Sequence, residues 1–317
     1  MTVARPVARL LAGVLFLLIG GCTGTLQTRA LLDKPADQLA RRAELTGVPF
    51  FAQEDYQCGP AALAMALRAA GVAADPDGLR PEVYLPERQG SLQVEMLATA
   101  RRHGVVAYQM APVLEDLLAE VADGTPAVVL QNLSFNWYPV WHYAVVIGYD
   151  LDRGEVILRS GREQRQALPM TTFERTWARS GYWAMLALPP GKIPRSAEDV
   201  SFVAAVSALE RTGQWESARS AYLAALKRWP GNLAAQIGTG NTAYRLRDLA
   251  QAEAAFRQAV ETHPDSVAAL NNLAQTLSDL GRDEEALAYA QRAADLGGPL
   301  KDIAQATLAD IRQKMKR

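Results

Sequence analysis

The spacing of apolar residues changes character along the first half of the chain. Leu63, Leu67 and Ala70 follow helical spacing, and Gly71 marks the end of that helix. The predicted helices cover 58–70, 91–102 and 113–121, and the predicted strands cover 47–51, 127–131, 141–149, 155–158 and 182–188. Helices followed by an antiparallel set of strands predict an α+β domain.

The second half is helical to the end of the chain and repeats every 34 residues. Tyr222, Phe256 and Ala290 keep this step. So do the small residues and the prolines: Ala218, Ala252 and Ala286; Ala225, Ala259 and Ala293; Pro230 and Pro264. The period and the small residues resemble the tetratricopeptide repeat. The resemblance implies an all-α solenoid whose concave surface binds a peptide or a protein partner, and a packing module without its own ligand is the alternative.

These patterns divide the 317 residues into five predicted segments. They are a signal at 1–22, a tether at 23–45, the α+β domain at 46–190, a linker at 191–198 and the repeats with a capping helix at 199–317. Hydrophobic residues make up 49% and charged residues 21%, which is typical of globular domains. The net charge of −1 argues against a nucleic-acid partner, which requires a concentrated basic surface.

We expect neither a metal nor a cofactor. The histidines and cysteines show no paired ligand spacing. The short motif Gly238-Thr239-Gly240 falls inside a repeat helix, where close helix packing explains it better than a nucleotide phosphate does.

The first 22 residues predict export. A basic start precedes an apolar core at 10–19, which is shorter than the ~20 residues that span a bilayer. Residues 18–22 resemble the lipobox of bacterial lipoproteins, which implies lipidation of Cys22 and attachment of the chain to a membrane. Thr23, in the place of an Asp, favours the outer membrane on its periplasmic side. A plain secretory signal or an uncleaved anchor is the alternative.

The remaining cysteine, Cys58, opens a predicted helix. Pro60 loses no hydrogen bond in the first turn, so the free backbone N–H groups and the helix dipole surround the sulfur. This setting predicts a lowered thiol pKa, as a nucleophile requires. Gln53 lies five residues earlier and can donate an amide N–H to an oxyanion.

A nucleophilic thiol also requires a base, and the chain has three histidines. His103 is typical of a solvated helix end and His263 of a turn between repeats. His142 begins an apolar strand between Trp141 and Tyr143. A histidine in that position is often a core residue, but the helix-opening cysteine upstream favours a Cys58–His142 pair.

Two motifs together resemble the bacteriocin-processing (double-glycine leader) cysteine peptidases of the papain-like superfamily. They are QEDYQCGP at 53–60 and HYAVVIGY at 142–149. The resemblance covers about 45–188 and implies a papain-like α+β fold. It also implies that Cys58 is the nucleophile, His142 the general base and acid, and Gln53 the oxyanion donor.

One position departs from the family pattern. The strand after His142 normally carries an Asp that orients the imidazole, and here Ser160 occupies that place. Serine can accept a hydrogen bond but supplies no negative charge for an imidazolium. Asn132, Asp150 and Asp152 are the other candidates for the third residue.

The sequence therefore predicts an envelope cysteine peptidase whose repeats recruit a protein substrate or partner. Two other functions remain open: an inactive peptide-binding scaffold, and an envelope amidase or acyltransferase of the same fold. The export signal and the lack of a transporter segment argue against leader processing during export. Phe135, Trp137, Tyr138 and Trp141 either line the substrate cleft or belong to the core.

Overall fold

The computed structural model describes residues 25–52 and 57–317. Its centre is an antiparallel sheet with the strand order β4-β9-β5-β6-β7-β8, and β1 pairs with the distal half of β6. The strands are β1 Arg42–Glu44, β4 Val106–Gln109, β5 Ala127–Asn132, β6 Trp141–Asp150, β7 Glu155–Ser160, β8 Glu163–Pro169 and β9 Ala184–Leu188. A separate short pair consists of β2 Tyr84–Leu85 and β3 Gly90–Ser91.

Helices cover both faces of the sheet. The first face carries α2 Cys58–Ala69, α3 Pro76–Val83 and α4 Gln93–Arg102, and the second carries α1 Leu26–Asp33, α5 Leu114–Ala122 and α6 Met170–Ala178. Each face of the sheet has its own hydrophobic core, and alternate residues of β5 pack into one or the other. Val128 packs on the first face and Val129 on the second. Burial on both faces explains the unbroken apolar pattern of the central strands.

The N-terminal segment is part of this folded unit, unlike the predicted tether. Buried Glu174 accepts backbone N–H groups of Gln27 at 3.1 Å and Thr28 at 2.7 Å, which fixes the start of α1. The strand predicted at 47–51 is wrong: these residues form no strand, and the segment that pairs with β6 is β1, a few residues earlier. Gly148 permits this pairing, since a β-carbon there would collide with the backbone of Ala43.

The repeat half forms a run of antiparallel helices. They are α7 Asp199–Glu210, α8 Trp215–Arg228, α9 Leu233–Arg245, α10 Leu249–Thr262, α11 Val267–Asp279, α12 Asp283–Leu296 and α13 Lys301–Lys314. The Tyr222 ring lies against Gly238 and the Phe256 ring against Gly240, with no room for a β-carbon at either glycine. The packing explanation of the glycine motif is therefore confirmed. Within residues 25–52 and 57–317, no helix is long and apolar enough to cross a membrane.

The repeats are docked on the sheet rather than held by a free linker. Phe202 of α7 is fully buried, and its ring lies 6.3 Å from that of Tyr108 on β4. The Tyr108 hydroxyl is 3.1 Å from Ser201 Oγ. Glu120 of α5 accepts hydrogen bonds from the backbone N–H and the hydroxyl of Ser196, both at 2.9 Å. One apolar core therefore continues from the sheet into the first repeat.

This shared core predicts that the two halves unfold together. Phe202→Ala should lower the free energy of unfolding by about 3–5 kcal/mol, because it leaves a cavity at the joint. Val200→Ala, on the exposed side of the same helix, should change it by less than about 0.5 kcal/mol. Chemical denaturation followed by circular dichroism measures both values. Two separate transitions, with only one shifted by Phe202→Ala, would show that the halves are energetically independent.

Candidate active site

The start of α2 fixes the position of Cys58. Residues 59–67 of this helix are all buried, so it packs as a rigid element against β6. A β-carbon on Gly59 would overlap the side chain of Ser91, so glycine allows the helix end to approach β3. The first helical hydrogen bond runs from Ala61 N–H to Gln57 O, at 3.2 Å, and Pro60 removes no bond from the helix.

The Cys58 sulfur faces the backbone of β6 beside His142. Hydrogen bonds from the backbone N–H groups of Tyr143, Gly59 and Cys58 itself favour the thiolate. Burial outweighs them and raises the pKa of the thiol above its ordinary value. The predicted lowering of the thiol pKa is therefore wrong, because the prediction counted the N–H groups and the helix dipole and not the burial of the sulfur.

The His142 side chain is held by Ser160. Its Nε2 is 2.9 Å from Ser160 Oγ, which is itself buried at the end of β7. Burial lowers the pKa of His142 to about 4. The imidazole is therefore neutral at pH 7, and the resting pair consists of a thiol and a neutral imidazole.

The three alternative partners of His142 are engaged elsewhere. Asn132 Oδ1 accepts the backbone N–H groups of Ser134 and Val140, both at 3.0 Å. Asp150 Oδ1 accepts two backbone N–H groups of the turn after β6, and Asp152 pairs with Arg41. Four candidates for the third residue were predicted, and all four are among the described residues. Of these, Ser160 is the one that lies against His142.

Comparisons with known proteins agree with this architecture. The Peptidase_C39 like family matches residues 45–185, and the tetratricopeptide repeat family matches 203–249 and 237–299. Residues 45–185 form a C39-like peptidase domain, and residues 203–299 form tetratricopeptide repeats. The predicted fold class is therefore confirmed.

Solved structures resemble each half of the chain separately. A putative C39-like peptidase from Bacillus anthracis is 21% identical, with a TM-score of 0.40, over 50% of this chain and 100% of its own. The first tetratricopeptide domain of Spaghetti (RPAP3), bound to an HSP90 peptide, is 20% identical, with a TM-score of 0.36, over 38% of this chain and 96% of its own. The TPR2B domain of yeast Sti1, in a complex with pHsp70, is 18% identical, with a TM-score of 0.33, over 34% of this chain and 91% of its own. No curated protein matches the chain.

The remaining candidate residues of the chain lie in different surroundings. Gln53 and Cys22 fall outside the described residues. His103 ends α4 and contacts Glu82 at 3.2 Å, and His263 ends α10 beside Thr262. No cluster of three or more metal-ligating side chains occurs in the part of the chain that the structure describes.

The aromatic residues before His142 are exposed, so of the two alternatives for them, cleft or core, the core is excluded. Trp137 is 81% exposed, Tyr138 66% and Phe135 61%. Apolar spacing could not reveal this, because an exposed loop and a buried strand share the same residue types here. Ser91, predicted to start a helix, lies on β3 instead, and its carbonyl accepts the Tyr143 hydroxyl at 3.3 Å beside Cys58.

The desolvated imidazole predicts a dependence of stability on pH. Folded His142 gains its proton at about pH 4, whereas the ordinary pKa is 6.5. Between these values the unfolded state binds more protons, so the free energy of unfolding falls as the pH drops from 6.5 to 4. His142→Gln should remove this part of the fall, which amounts to at most about 3 kcal/mol.

Urea denaturation at a series of pH values measures this effect. Ser160→Ala serves as the control, because it removes the hydrogen bond while the burial of His142 remains, and it should keep the fall. An unchanged slope in His142→Gln would contradict the burial of the imidazole.

Proposed function

We propose that the C39-like domain is a cysteine peptidase in which Cys58 attacks a peptide carbonyl and His142 transfers the protons. The observation that carries this proposal is the placement of the sulfur against the β6 backbone at Tyr143, the residue next to His142. Ser160 engages Nε2, which leaves Nδ1 as the nitrogen that serves the thiol.

Attack begins from the neutral pair. Nδ1 of His142 takes the thiol proton as the sulfur bonds to the carbonyl carbon, so general-base catalysis replaces a preformed thiolate. The carbonyl π electrons move to the oxygen. The backbone N–H groups of Cys58 and Gly59, which bond to the sulfur in the resting site, would turn to the oxyanion as it forms, and we assign Gln53 the role of a further donor.

Collapse of the tetrahedral intermediate releases the first product. Imidazolium His142 gives its proton to the leaving amine, the C–N bond breaks, and an acyl-thioester remains on Cys58. His142 then takes a proton from water, and the hydroxide adds to the thioester. Return of that proton to sulfur releases the carboxylic acid and restores the thiol.

Ser160 is a positioning residue in this scheme. Its hydroxyl accepts the Nε2 proton, which keeps the lone pair of the neutral ring on Nδ1. Without a carboxylate, imidazolium lacks a negative partner, so proton transfer depends on the substrate to complete the site.

The same pKa directions favour a second candidate, an inactive scaffold that binds peptides. Burial raises the pKa of Cys58 and lowers that of His142, and both shifts disfavour an ion pair before substrate binds. Hydrolysis by the wild-type chain decides between the two candidates. An amidase or acyltransferase would share the mechanism and differ in substrate.

We further propose that the chain is an envelope lipoprotein. Lipidation of Cys22 would hold it on the outer membrane, facing the periplasm, and the repeats would bind a protein partner or substrate. The match of residues 203–299 to the tetratricopeptide repeat family supports the partner-binding part of this proposal.

The peptidase proposal predicts loss of turnover in Cys58→Ala and His142→Ala. We expect complete loss in the first and a loss of about 10²–10⁴-fold in the second, as for removal of a general base. A peptide library read by mass spectrometry measures cleavage and captures the acyl-thioester. His103→Ala and Cys22→Ala are the matched controls and should retain turnover. Cleavage by pure Cys58→Ala would rule out the mechanism.

Ser160→Asp should raise the pKa of His142, because a carboxylate beside Nε2 stabilises imidazolium. The alkylation rate of Cys58 should then rise at lower pH than in the wild type, and turnover should be preserved or increased. The pH profile of iodoacetamide modification measures the shift. Loss of turnover in a folded Ser160→Asp chain would show that Ser160 does not hold the orienting position.

A further inference from the structure

The loop between β5 and β6, together with the first residue of β6, exposes a group of apolar side chains. Residues 133–141, the aromatic loop, contain no charged residue. Its apolar side chains are all exposed: Leu133, Phe135, Trp137, Tyr138, Val140 and Trp141. An exposed group of six apolar side chains on a protein surface indicates a contact site for a membrane or for another molecule.

The exposure of the aromatic loop is built into its backbone. Asn132 accepts hydrogen bonds from both arms of the loop, and Leu133 N–H bonds to Val140 O at 2.9 Å. Arg179 donates to the carbonyl of Ser134 at 2.7 Å. The rings of Phe135 and Trp137 stack at 5.6 Å. The loop therefore presents its rings in a fixed arrangement rather than hiding them in the core.

The N-terminal end of the described chain lies at the same end of the domain. Helix α6 runs along the sheet and ends at Arg179 beside the aromatic loop, and α1 lies against this helix. Gln27 bonds to Pro112 O at 3.0 Å, next to partly exposed Val113, and Leu26 is 70% exposed. We call the aromatic loop together with Leu26 and Val113 the apolar end.

The apolar end fits the interface of a lipid bilayer. Trp and Tyr side chains favour the headgroup level, where the ring is in contact with lipid and the polar group with water. Cys22 is three residues before Thr25, the first described residue, and three residues of chain span at most about 11 Å, so a lipid on Cys22 would hold Leu26 close to the bilayer.

We propose that the apolar end rests on a membrane, with the aromatic loop inserted at the headgroup level. The choice of a membrane as the occupant rests on the proposed lipid at Cys22 and is independent of peptidase activity. His142 follows Trp141 directly, so the cleft opens at the bilayer surface. Its substrates are then polypeptides that lie on the membrane or emerge from it.

Tryptophan fluorescence tests this inference. The full chain is reconstituted into phosphatidylethanolamine–phosphatidylglycerol vesicles, with or without bromine atoms near the headgroup end of the acyl chains. Trp137 and Trp141 lie in the aromatic loop, whereas Trp177 and Trp183 are buried and Trp215 and Trp229 belong to the repeats. We expect Trp137→Phe with Trp141→Phe to abolish most of the quenching by brominated lipid. The matched control, Trp215→Phe, should retain it.

The outcomes separate this inference from the other proposals. Flotation with vesicles but equal quenching in wild type and the double variant would leave the anchor in place and overturn the inference. Failure of the chain to float with the vesicles would overturn both the lipid anchor and the membrane contact of the aromatic loop. Protection of Trp137 by added peptide but not by lipid would identify the loop as a substrate clamp instead. The Cys58→Ala chain should be quenched like the wild type, whether or not the wild type cleaves peptides.

Discussion

Burial of α2 against β6 is the constraint on which the candidate site depends. The helix has no polar face over residues 59–67, so it lies wholly inside the domain and its first turn reaches the sheet. Glycine at position 59 also lets the start of the helix approach Ser91 on β3. The sulfur thereby meets the β6 backbone next to His142, whose ring is held by Ser160. The geometry of the pair therefore depends on the same packing that stabilises the domain.

That packing has a chemical consequence. Desolvation disfavours both charged partners, raising the pKa of Cys58 and lowering the pKa of His142. Both groups are therefore neutral in the resting site, as a thiol and an imidazole. Ser160 is consistent with this state, because a carboxylate in its place would favour the charged imidazolium.

The sequence predicted the elements that depend on local pattern. The 34-residue period identified the repeats, and the helix start at Cys58 with the strand at His142 identified the two halves of the site. The resemblance to the peptidase family placed Ser160 in the orienting position, and the structure brings the two side chains together. Other features depend on tertiary contact and leave no local signal. The burial that sets the pKa values, the docking of Phe202 and the exposure of Trp137 all belong to this group.

The docked repeats lie at a defined position relative to Cys58. Phe202 and Ser196 join the first repeat to the sheet, so the repeats are packed against the domain that carries Cys58. If the repeats bind the substrate and the domain cleaves it, as proposed, a bound polypeptide would reach the sulfur only with a stretch of chain that spans the gap between the two. The cleavage point would then be selected by its distance along the chain from the bound segment, as well as by the residues around it.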